Sequence, residues 1–348
     1  MANVLINGMG VLGRRLFRMI WDKELSSSLA TDLTVTMIND MIITDLEQMA
    51  YLLQYDTVYG RWEGHDVSAD VVNKALIVDN KTIKVYSAAN VAKLPLAEDV
   101  PVAIDCTGRV TDKILDGYKT AGSVVAIGID NAGMTTHCIV SGINDQGHSA
   151  THRTAYSPYG NAIAIAQILD IIAEKYGVSS ALTDEITAYT NNNTLEDSAY
   201  LSAAKKYQVG RAGAWNIIPS RNNAPKALGL IIPTLNGKVN GSTRNVGVIA
   251  GAVMDCFIQT VNPVESEDAI KAAVKTWLEV DHTDWQMKYA EEGYISSDMI
   301  GLPYTCFDAN TCVRKMNDNF IRVSVIYDPI TVAAANAALV GAYTYATP

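Results

Sequence analysis

The chain has 348 residues, of which 49% are apolar and 18% are charged, and its formal net charge is −10. This length suits two domains, and the apolar content excludes an intrinsically disordered protein. The net negative charge, together with the lack of any run rich in lysine or arginine, excludes nucleic acid as the main partner.

Cysteine usage and hydropathy bear on the location of the protein. The number of cysteines is odd and no two form a CxxC pair, which favours a reduced setting. The first residues lead directly into an apolar strand pattern, and no segment has the length and apolarity of a membrane span. We therefore expect a cytoplasmic protein with no membrane partner. The cysteines are Cys106, Cys138, Cys256, Cys306 and Cys312.

The first predicted elements are a strand, a glycine-rich turn and a helix. Val4–Ile6 is a short apolar strand, and a helix is predicted from Leu12 to Asp22. The glycines between and within them match G-x-G-x-x-G, which permits a tight turn, close approach of a pyrophosphate and close helix–strand packing. This pattern predicts a dinucleotide site formed by Gly8, Met9, Gly10, Val11, Leu12 and Gly13.

The second predicted strand, Leu33–Ile38, ends in Asn39 and Asp40. An acidic residue at this position grips the ribose diol of a bound dinucleotide, so both residues join the predicted site. The alternative is a turn of this type that is kept for packing after the ligand has been lost.

Further strands are predicted before an α/β half that closes near residue 150. The strand Val102–Asp105 is followed by Cys106-Thr107-Gly108, at a strand end where ligands bind in open α/β sheets. Thr107 and Gly108 are therefore candidate cofactor-binding residues. The other strands predicted here are Ala75–Val78, Thr82–Tyr86, Val124–Ile129 and Ile139–Ile143.

The second half opens with a pattern typical of a helix start. Ser157 can cap free amides, and Pro158 suits the first helical position ahead of a long apolar run. Lys226–Val261 is predicted to form strands, with turns at Asn236-Gly237 and Asn240-Gly241.

Over nearly its whole length the chain resembles the glyceraldehyde-3-phosphate dehydrogenases. The motifs occur in family order: I-N-G-M-G-V-L-G-R-R, I-N-D, D-L-E-Q-M-A-Y-L-L-Q-Y-D-T-V-Y-G-R, C-T-G, S-G-I-N, A-Y-T, G-R-A-G-A-W-N-I-I-P-S, L-I-I-P-T-L-N-G-K-V-N-G and N-D-N-F-I-R-V-S-V-I-Y-D. The resemblance implies an α/β protein with a Rossmann NAD-binding domain at residues 1–154 and an α+β catalytic-type domain, with a mostly antiparallel sheet, at 155–328. A C-terminal helix, containing Thr331–Val340 within residues 329–348, should pack back on the first domain.

The resemblance also implies self-association as a tetramer or dimer. The long S-shaped loop through which family subunits pack corresponds to about Asn192–Ala214. Tyrosines in or beside it, at positions 189, 200 and 207, are expected to pack at a subunit contact.

The reactive residues of the family are replaced. The family cysteine lies in S-C-T-T-N, and the matching stretch here is S-P-Y-G-N, with Pro158 in the place of the nucleophile. The family histidine that acts as the base corresponds to Thr187. Proline has neither a thiol nor an N–H group, and threonine cannot take up a proton near neutral pH. The resemblance therefore implies that no catalytic residue remains.

Cofactor binding is implied on one side only. The asparagine that holds the nicotinamide amide in the family, after a Tyr-Asp pair, is Pro329 here, and a later family tyrosine is Ala333. The arginine of the family's glycine loop is Val11. The resemblance thus implies NAD as the cofactor, held by its adenine side without a nicotinamide anchor.

The family's phosphate ligands are also altered. Thr190 is kept, a threonine–glycine pair is replaced by a segment that begins at Arg221, and Asn245 stands where an arginine belongs. Arg244 lies one place early, which in a strand means the opposite face, although a local gap would restore it. Thr190, Arg221 and Arg244, with Lys226 nearby, could hold a new anion, or the basic residues could serve in ion pairs between subunits.

His148 and His152 form H-x-x-x-H, a spacing that binds a metal when it lies on a helix. They occur in G-H-S-A-T-H, a loop pattern without an evident third ligand, so a solvated loop is the preferred interpretation. We predict no metal site.

The sequence as a whole predicts a pseudoenzyme that keeps NAD binding and acts as a structural or regulatory homo-oligomeric subunit, with a larger protein assembly as a further partner. One alternative is an enzyme with altered chemistry at Tyr159, Thr187 or Arg244. Another is residual NAD-dependent aldehyde dehydrogenase activity.

Overall fold

The structure is a computed structural model that describes residues 2–25, 32–96, 99–129, 137–145, 153–199, 207–280 and 287–346. His148, His152 and Tyr200 lie outside the described residues. Within the described ranges no helix is long and apolar enough to cross a membrane, and no cluster of three or more metal-ligating side chains occurs. The chain forms two compact units: unit 1 comprises Met1–Tyr159 and Ala333–Pro348, and unit 2 comprises Gly160–Val332.

Unit 1 is built on one eight-stranded sheet with the strand order β10-β9-β8-β1-β2-β7-β6-β5. The pairs from β10 to β7 are parallel, and β7, β6 and β5 form an antiparallel edge. A small hairpin pairs β3 with β4. The strands are β1 Ala2–Asn7, β2 Leu33–Asn39, β3 Tyr55–Asp56, β4 Gly60–Arg61, β5 Val67–Asp70, β6 Ala75–Val78, β7 Lys81–Tyr86, β8 Val102–Asp105, β9 Val125–Ile129 and β10 Thr154–Ser157.

The parallel part of this sheet is the core of unit 1. β8 and β9 are buried at every position, as expected for apolar strands that are covered on both faces. The helices of this unit are α1 Val11–Trp21, α2 Leu46–Gln54 and α3 Asp112–Thr120. The last helix, α7 Pro329–Ala346, enters unit 1 at Ala333 and is almost entirely apolar.

The prediction of a strand at Ile139–Ile143 is wrong. Residues 141–144 form a turn, in which Asn144 Oδ1 accepts the Val140 N–H at 2.8 Å and Gly142 has a φ of +79°. The place next to β9 is taken by β10, which pairs with it in parallel. A buried turn can therefore have the same apolar sequence pattern as a buried strand.

Unit 2 is built on a second sheet, with the strand order β12-β13-β11-β14-β18-β16-β15 and with β17 paired to β18. The pairs β11–β13 and β15–β16 are parallel and the others are antiparallel, so the predicted mostly antiparallel sheet is confirmed. The strands are β11 Val178–Ala188, β12 Ile218–Arg221, β13 Val239–Val246, β14 Ala252–Thr260, β15 Met287–Ala290, β16 Thr305–Asp308, β17 Val313–Asn317 and β18 Phe320–Tyr327.

The helices of unit 2 are α4 Gly160–Tyr176, α5 Ala224–Ile231 and α6 Glu267–Val280. The prediction of strands from Lys226 onward is wrong at its start, because α5 has a proline in its first turn and buries apolar residues at helical spacing. The predicted turn at Asn240-Gly241 is also wrong, since both residues lie within β13.

The predicted helix start, with Ser157 as the cap and Pro158 as the first helical residue, is wrong by two residues. Ser157 is the last residue of β10, and its hydroxyl accepts a hydrogen bond from Asn336 Nδ2 at 2.8 Å instead of capping α4. The helix begins at Gly160. An added Cβ there would lie 2.2 Å from the carbonyl oxygen of Pro329, so the position requires glycine.

Asp308 at the end of β16 organises the loops around it. Its carboxylate is fully buried and accepts the N–H groups of Gly293, Tyr294, Asn310 and Thr311. Burial alone would raise the pKa of this carboxyl, but the four N–H donors outweigh burial and lower the pKa below its ordinary value.

This lowered pKa predicts an acid-sensitive stability of unit 2. A depressed carboxyl pKa stabilises the fold above the unfolded pKa of about 4, and that contribution is lost as the pH falls through the folded value. We expect the free energy of unfolding, measured in urea from pH 7 to pH 3, to fall less steeply below pH 4 in Asp308→Asn than in the wild type. Equal slopes for the two proteins would contradict this assignment.

Candidate functional site

The glycine loop between β1 and α1 has the geometry that its sequence predicts. Gly8 has a φ of +92°, and its N–H donates to the carbonyl oxygen of Asn39 at 2.8 Å. An added Cβ at Gly13 would lie 1.9 Å from the Gly8 carbonyl oxygen, so close packing of α1 on this loop requires glycine. At Gly10 an added Cβ would meet no atom within 4 Å. The space beside Gly10 is where a diphosphate can approach the backbone.

The N-terminus of α1 adjoins this space. Gly10 is its N-cap residue and provides no side-chain cap, and the first turn contains no acidic residue. The first N–H groups of a helix have no partner within it and favour an anion. Val11 is 40% exposed at the start of the helix and adds no charge. The loop therefore fits a diphosphate through backbone groups alone, with Leu12 buried beneath it.

Asp40, predicted to grip a ribose, also holds the loop together. Its Oδ2 accepts the Met9 N–H at 2.5 Å, and its Oδ1 accepts the N–H groups of Ile42 and Ile43 at 2.6 and 2.7 Å. The residue is only 5% exposed. A carboxylate has about four acceptor positions, so roughly one remains for a ribose hydroxyl.

A buried polar network that the sequence analysis missed lies beneath the loop. Asn7 donates to Asp105 Oδ2 at 2.9 Å, and Asn39 donates to Asn7 Oδ1 at 2.8 Å. Tyr118 Oη donates to the same Asp105 oxygen at 2.6 Å, and burial together with this carboxylate raises the pKa of Tyr118 far above its usual value. Asn7, Asn39 and Asp105 are the last residues of three neighbouring strands in direct register. Each of these apolar strands ends in a polar residue, and this pattern in the sequence could have indicated the network.

The loop after β8 is tied to this network. Thr107 donates both its N–H and its hydroxyl to Asp105 Oδ1, at 2.9 and 2.6 Å. Gly108 follows with a φ of +66°, and an added Cβ there would lie 2.7 Å from Tyr159 Oη. Tyr159 comes from the S-P-Y-G-N stretch, after the buried Pro158. Its side chain therefore reaches the loop at which the sequence predicts a ligand.

In unit 2, Thr187 lies near the end of β11. Its partner across the parallel pair is Asn245 of β13, whose side-chain amide donates to the Ala188 carbonyl oxygen at 2.9 Å. Two residues earlier on the same strands, and so on the same face, Glu185 pairs with Thr243.

Glu185 is the centre of a second polar network that the sequence analysis missed. Tyr327 Oη donates to its Oε1 at 2.7 Å, and Thr243 Oγ1 and Asn161 Nδ2 donate to its Oε2 at 2.9 and 3.2 Å. Glu185 is 4% exposed and Tyr327 is fully buried. Burial, and then the Glu185 carboxylate, raise the pKa of the Tyr327 hydroxyl well above its usual value. The hydroxyl thus acts as a hydrogen-bond donor here.

The predicted anion-binding residues lie in different settings. Arg244 forms an ion pair with Asp184, on the face of the sheet opposite to Thr187. Arg221 is exposed on β12, at the edge of the sheet, and its partner across the pair is Ser242, whose hydroxyl donates to Asp184 Oδ1 at 2.7 Å. Thr190 is exposed in the loop after β11, and its hydroxyl accepts the Asn192 N–H.

The residues that begin α7 form a helix cap. Asp328 Oδ1 accepts the N–H groups of Ile330 and Thr331, and its Oδ2 accepts the Thr331 hydroxyl at 2.7 Å and the Gly301 N–H at 2.9 Å. Pro329 is the first helical residue, a position that suits proline. It offers no side-chain donor for an amide.

These features define unit 1 as a Rossmann dinucleotide-binding domain. The family model for the NAD-binding domain of glyceraldehyde 3-phosphate dehydrogenase matches residues 2–113, and the model for the C-terminal domain of that enzyme matches residues 161–329. The chain therefore belongs to the glyceraldehyde-3-phosphate dehydrogenase family.

Relatives in bacteria and plants are similar along nearly the whole chain. Glyceraldehyde-3-phosphate dehydrogenase 2 of Streptomyces avermitilis is 30% identical over 328 residues, which cover 93% of this chain and 92% of the relative. Glyceraldehyde-3-phosphate dehydrogenase of Haemophilus influenzae is 30% identical over 330 residues, with the same coverage. The cytosolic glyceraldehyde-3-phosphate dehydrogenase 3 of Oryza sativa is 28% identical over 329 residues, which cover 93% of this chain and 92% of the relative.

Proposed function

We propose that this chain is a non-catalytic member of the family: a cytoplasmic, homo-oligomeric structural or regulatory subunit that holds NAD by its adenine side. The observation that carries the proposal is the presence of Pro158 and Thr187 at the positions of the family nucleophile and base. Oxidation of an aldehyde through a thioester needs a thiolate and a group that accepts the thiol proton. Proline and threonine supply neither.

The retained parts of unit 1 support nucleotide binding. Gly8 forms the tight turn, Gly10 leaves space for a diphosphate to approach the backbone, and Gly13 allows close packing of α1 on the loop. Gly10 and the first turn of α1 would hold the diphosphate, and Asp40 would contact the adenosine ribose. When bound, NAD can accept a hydride. Asp328, whose carboxylate caps α7, and Pro329 offer no side-chain donor for the nicotinamide amide.

Altered chemistry finds less support. Arg244 is paired with Asp184, and the neighbour of Thr187 is an asparagine amide that donates to a backbone carbonyl. Neither arrangement provides a group that exchanges protons near neutral pH. A structural or regulatory role accounts better for a chain that keeps its fold-forming residues.

Exposed apolar residues of unit 2 support self-association. Leu182 and Ile186, on the outer face of β11, are 50% and 45% exposed, and Trp215 is 91% exposed. Clusters of large exposed apolar side chains mark interaction surfaces. The predicted subunit-packing loop at Asn192–Ala214 precedes Trp215 directly.

Self-association predicts a charge-sensitive interface on β11. The double variant Leu182→Asp/Ile186→Asp should dissociate the oligomer to the 37.6 kDa chain, because two carboxylates cannot be buried without partners. Light scattering after size exclusion measures the mass, with the exposed Val72→Asp of unit 1 as the matched control. A wild-type chain that is monomeric at micromolar concentration would contradict the oligomeric part of the proposal.

The structural role itself is tested on material from the native source. We expect the chain to be recovered in a defined assembly larger than its own homo-oligomer, with this chain visible in a cryo-electron microscopy reconstruction. If it neither associates with a partner in pull-down experiments nor co-localises with any assembly, the structural role is excluded.

A further inference from the structure

The strand order of unit 1 decides where the two halves of a dinucleotide would lie. β1 lies between β2 and β8, and a ligand in such a sheet crosses the carboxyl ends of the strands at this switch point. Asp40 follows β2, so the adenosine half belongs on that side. The second nucleoside must then extend in the other direction, over the loop that follows β8.

Tyr159 lies against that loop. The backbone at Gly108 has a positive φ, and an added Cβ would lie 2.7 Å from Tyr159 Oη. A tyrosine side chain so close to the backbone occupies the space above the loop, where the second nucleoside would pass.

The chain that leads to Tyr159 is held in place. The Ser157 hydroxyl accepts a hydrogen bond from Asn336 Nδ2, and Asn336 Oδ1 accepts the Ser141 N–H at 2.9 Å. Ser157 and Asn336 are both buried, and Pro158 has a fixed φ. Moving the backbone that carries Tyr159 away from the loop would therefore disturb buried hydrogen bonds.

The other side of the site is open. An added Cβ at Gly10 meets no atom within 4 Å, and the start of α1 is not capped by a side chain. A diphosphate beside Gly10 therefore meets no comparable obstacle.

We propose that Tyr159 is a specificity-determining residue that restricts the nucleotide site of unit 1 to an adenosine diphosphate moiety, so that ADP binds more tightly than NAD. This inference rests on the nucleotide site of the proposed function and adds the preferred ligand. NAD then binds by its ADP half, with its nicotinamide half displaced from the loop after β8.

Isothermal titration calorimetry with ADP and with NAD tests the inference. We expect the wild type to bind ADP about tenfold more tightly than NAD, or more. Tyr159→Ala should raise the affinity for NAD until the two ligands bind about equally, with the affinity for ADP unchanged. Tyr159→Phe should weaken the preference only in part, because it removes the hydroxyl that lies nearest to Gly108 and keeps the ring. Tyr51→Ala, at an exposed tyrosine of the same unit, is the matched control.

The outcomes separate this inference from the proposed function. A wild type that binds NAD as tightly as ADP, or tighter, overturns the inference and leaves the nucleotide site standing; this comparison does not depend on any variant. A preference for ADP that persists in a folded Tyr159→Ala protein overturns the role of Tyr159. Binding of neither ligand overturns both the inference and the nucleotide site.

Discussion

Gly13→Val is expected to lower the free energy of unfolding by about 3 kcal/mol or more. An added Cβ at this position would lie 1.9 Å from the Gly8 carbonyl oxygen, far inside van der Waals contact. The loop cannot retreat easily, because the Gly8 N–H is bonded to the backbone of β2. Urea denaturation followed by circular dichroism measures the effect.

Gly10→Ala is the matched control for Gly13→Val. It lies in the same loop, but its Cβ would meet no atom within 4 Å, so we expect a change in stability of about 1 kcal/mol or less. The same methyl group would project where a diphosphate approaches, so the affinity for ADP should fall. A Gly13→Val protein as stable as Gly10→Ala would show that the loop is not packed as described.

Glu185→Ala is expected to destabilise unit 2 by about 3 kcal/mol, because it leaves buried donors without an acceptor. The hydroxyls of Tyr327 and Thr243 both donate to this carboxylate. Tyr327 is fully buried and has no access to water as a substitute. Urea denaturation at neutral pH measures the loss.

Two further variants define the contribution of this carboxylate. Glu279→Ala, at an exposed position on α6, should change stability by about 0.5 kcal/mol or less. Tyr327→Phe removes one donor, so combining it with Glu185→Ala should cost less than the sum of the two single changes. A Glu185→Ala protein that matches Glu279→Ala in stability would contradict the network.

Local patterns made the first half of the fold predictable. The glycine loop, α1 and six strands of unit 1 each follow from a short stretch of sequence, and their predicted bounds agree with the structure within two residues. These strands are β1, β2, β6, β7, β8 and β9; β3, β4, β5 and β10 were not predicted. The failures have local causes too. Ile139–Ile143 is apolar because a turn is buried, and Asn240-Gly241 resembles a turn but lies near the start of β13.

Long-range contacts explain what the sequence could not reveal. Glu185 receives hydrogen bonds from residues 58 and 142 positions away in the chain, and no local pattern relates them. Ser157 likewise resembles a helix cap, yet its hydroxyl bonds to a residue 179 positions away. The network under the glycine loop was easier to predict from the sequence, because Asn7, Asn39 and Asp105 each end an apolar strand.

Strand periodicity was informative at Arg244. The sequence places it one position before the place of the family arginine, and alternation of side chains then puts it on the opposite face. The structure pairs it with Asp184, while Asn245 lies beside Thr187 on the other face. The partner of Arg244 in the ion pair could not be predicted from β13 alone. Asp184 lies on β11, and only the register between the two strands identifies it.

The most direct test of the central claim is the oxidation of glyceraldehyde 3-phosphate by the purified chain with NAD and inorganic phosphate, followed as NADH formation. Loss of a covalent nucleophile costs many orders of magnitude in rate. We predict that micromolar protein forms NADH no faster than a sample without protein, while the Haemophilus influenzae relative, assayed alongside, turns over readily. Saturable NADH formation by this chain that depends on inorganic phosphate would contradict the assignment as a non-catalytic member of the family.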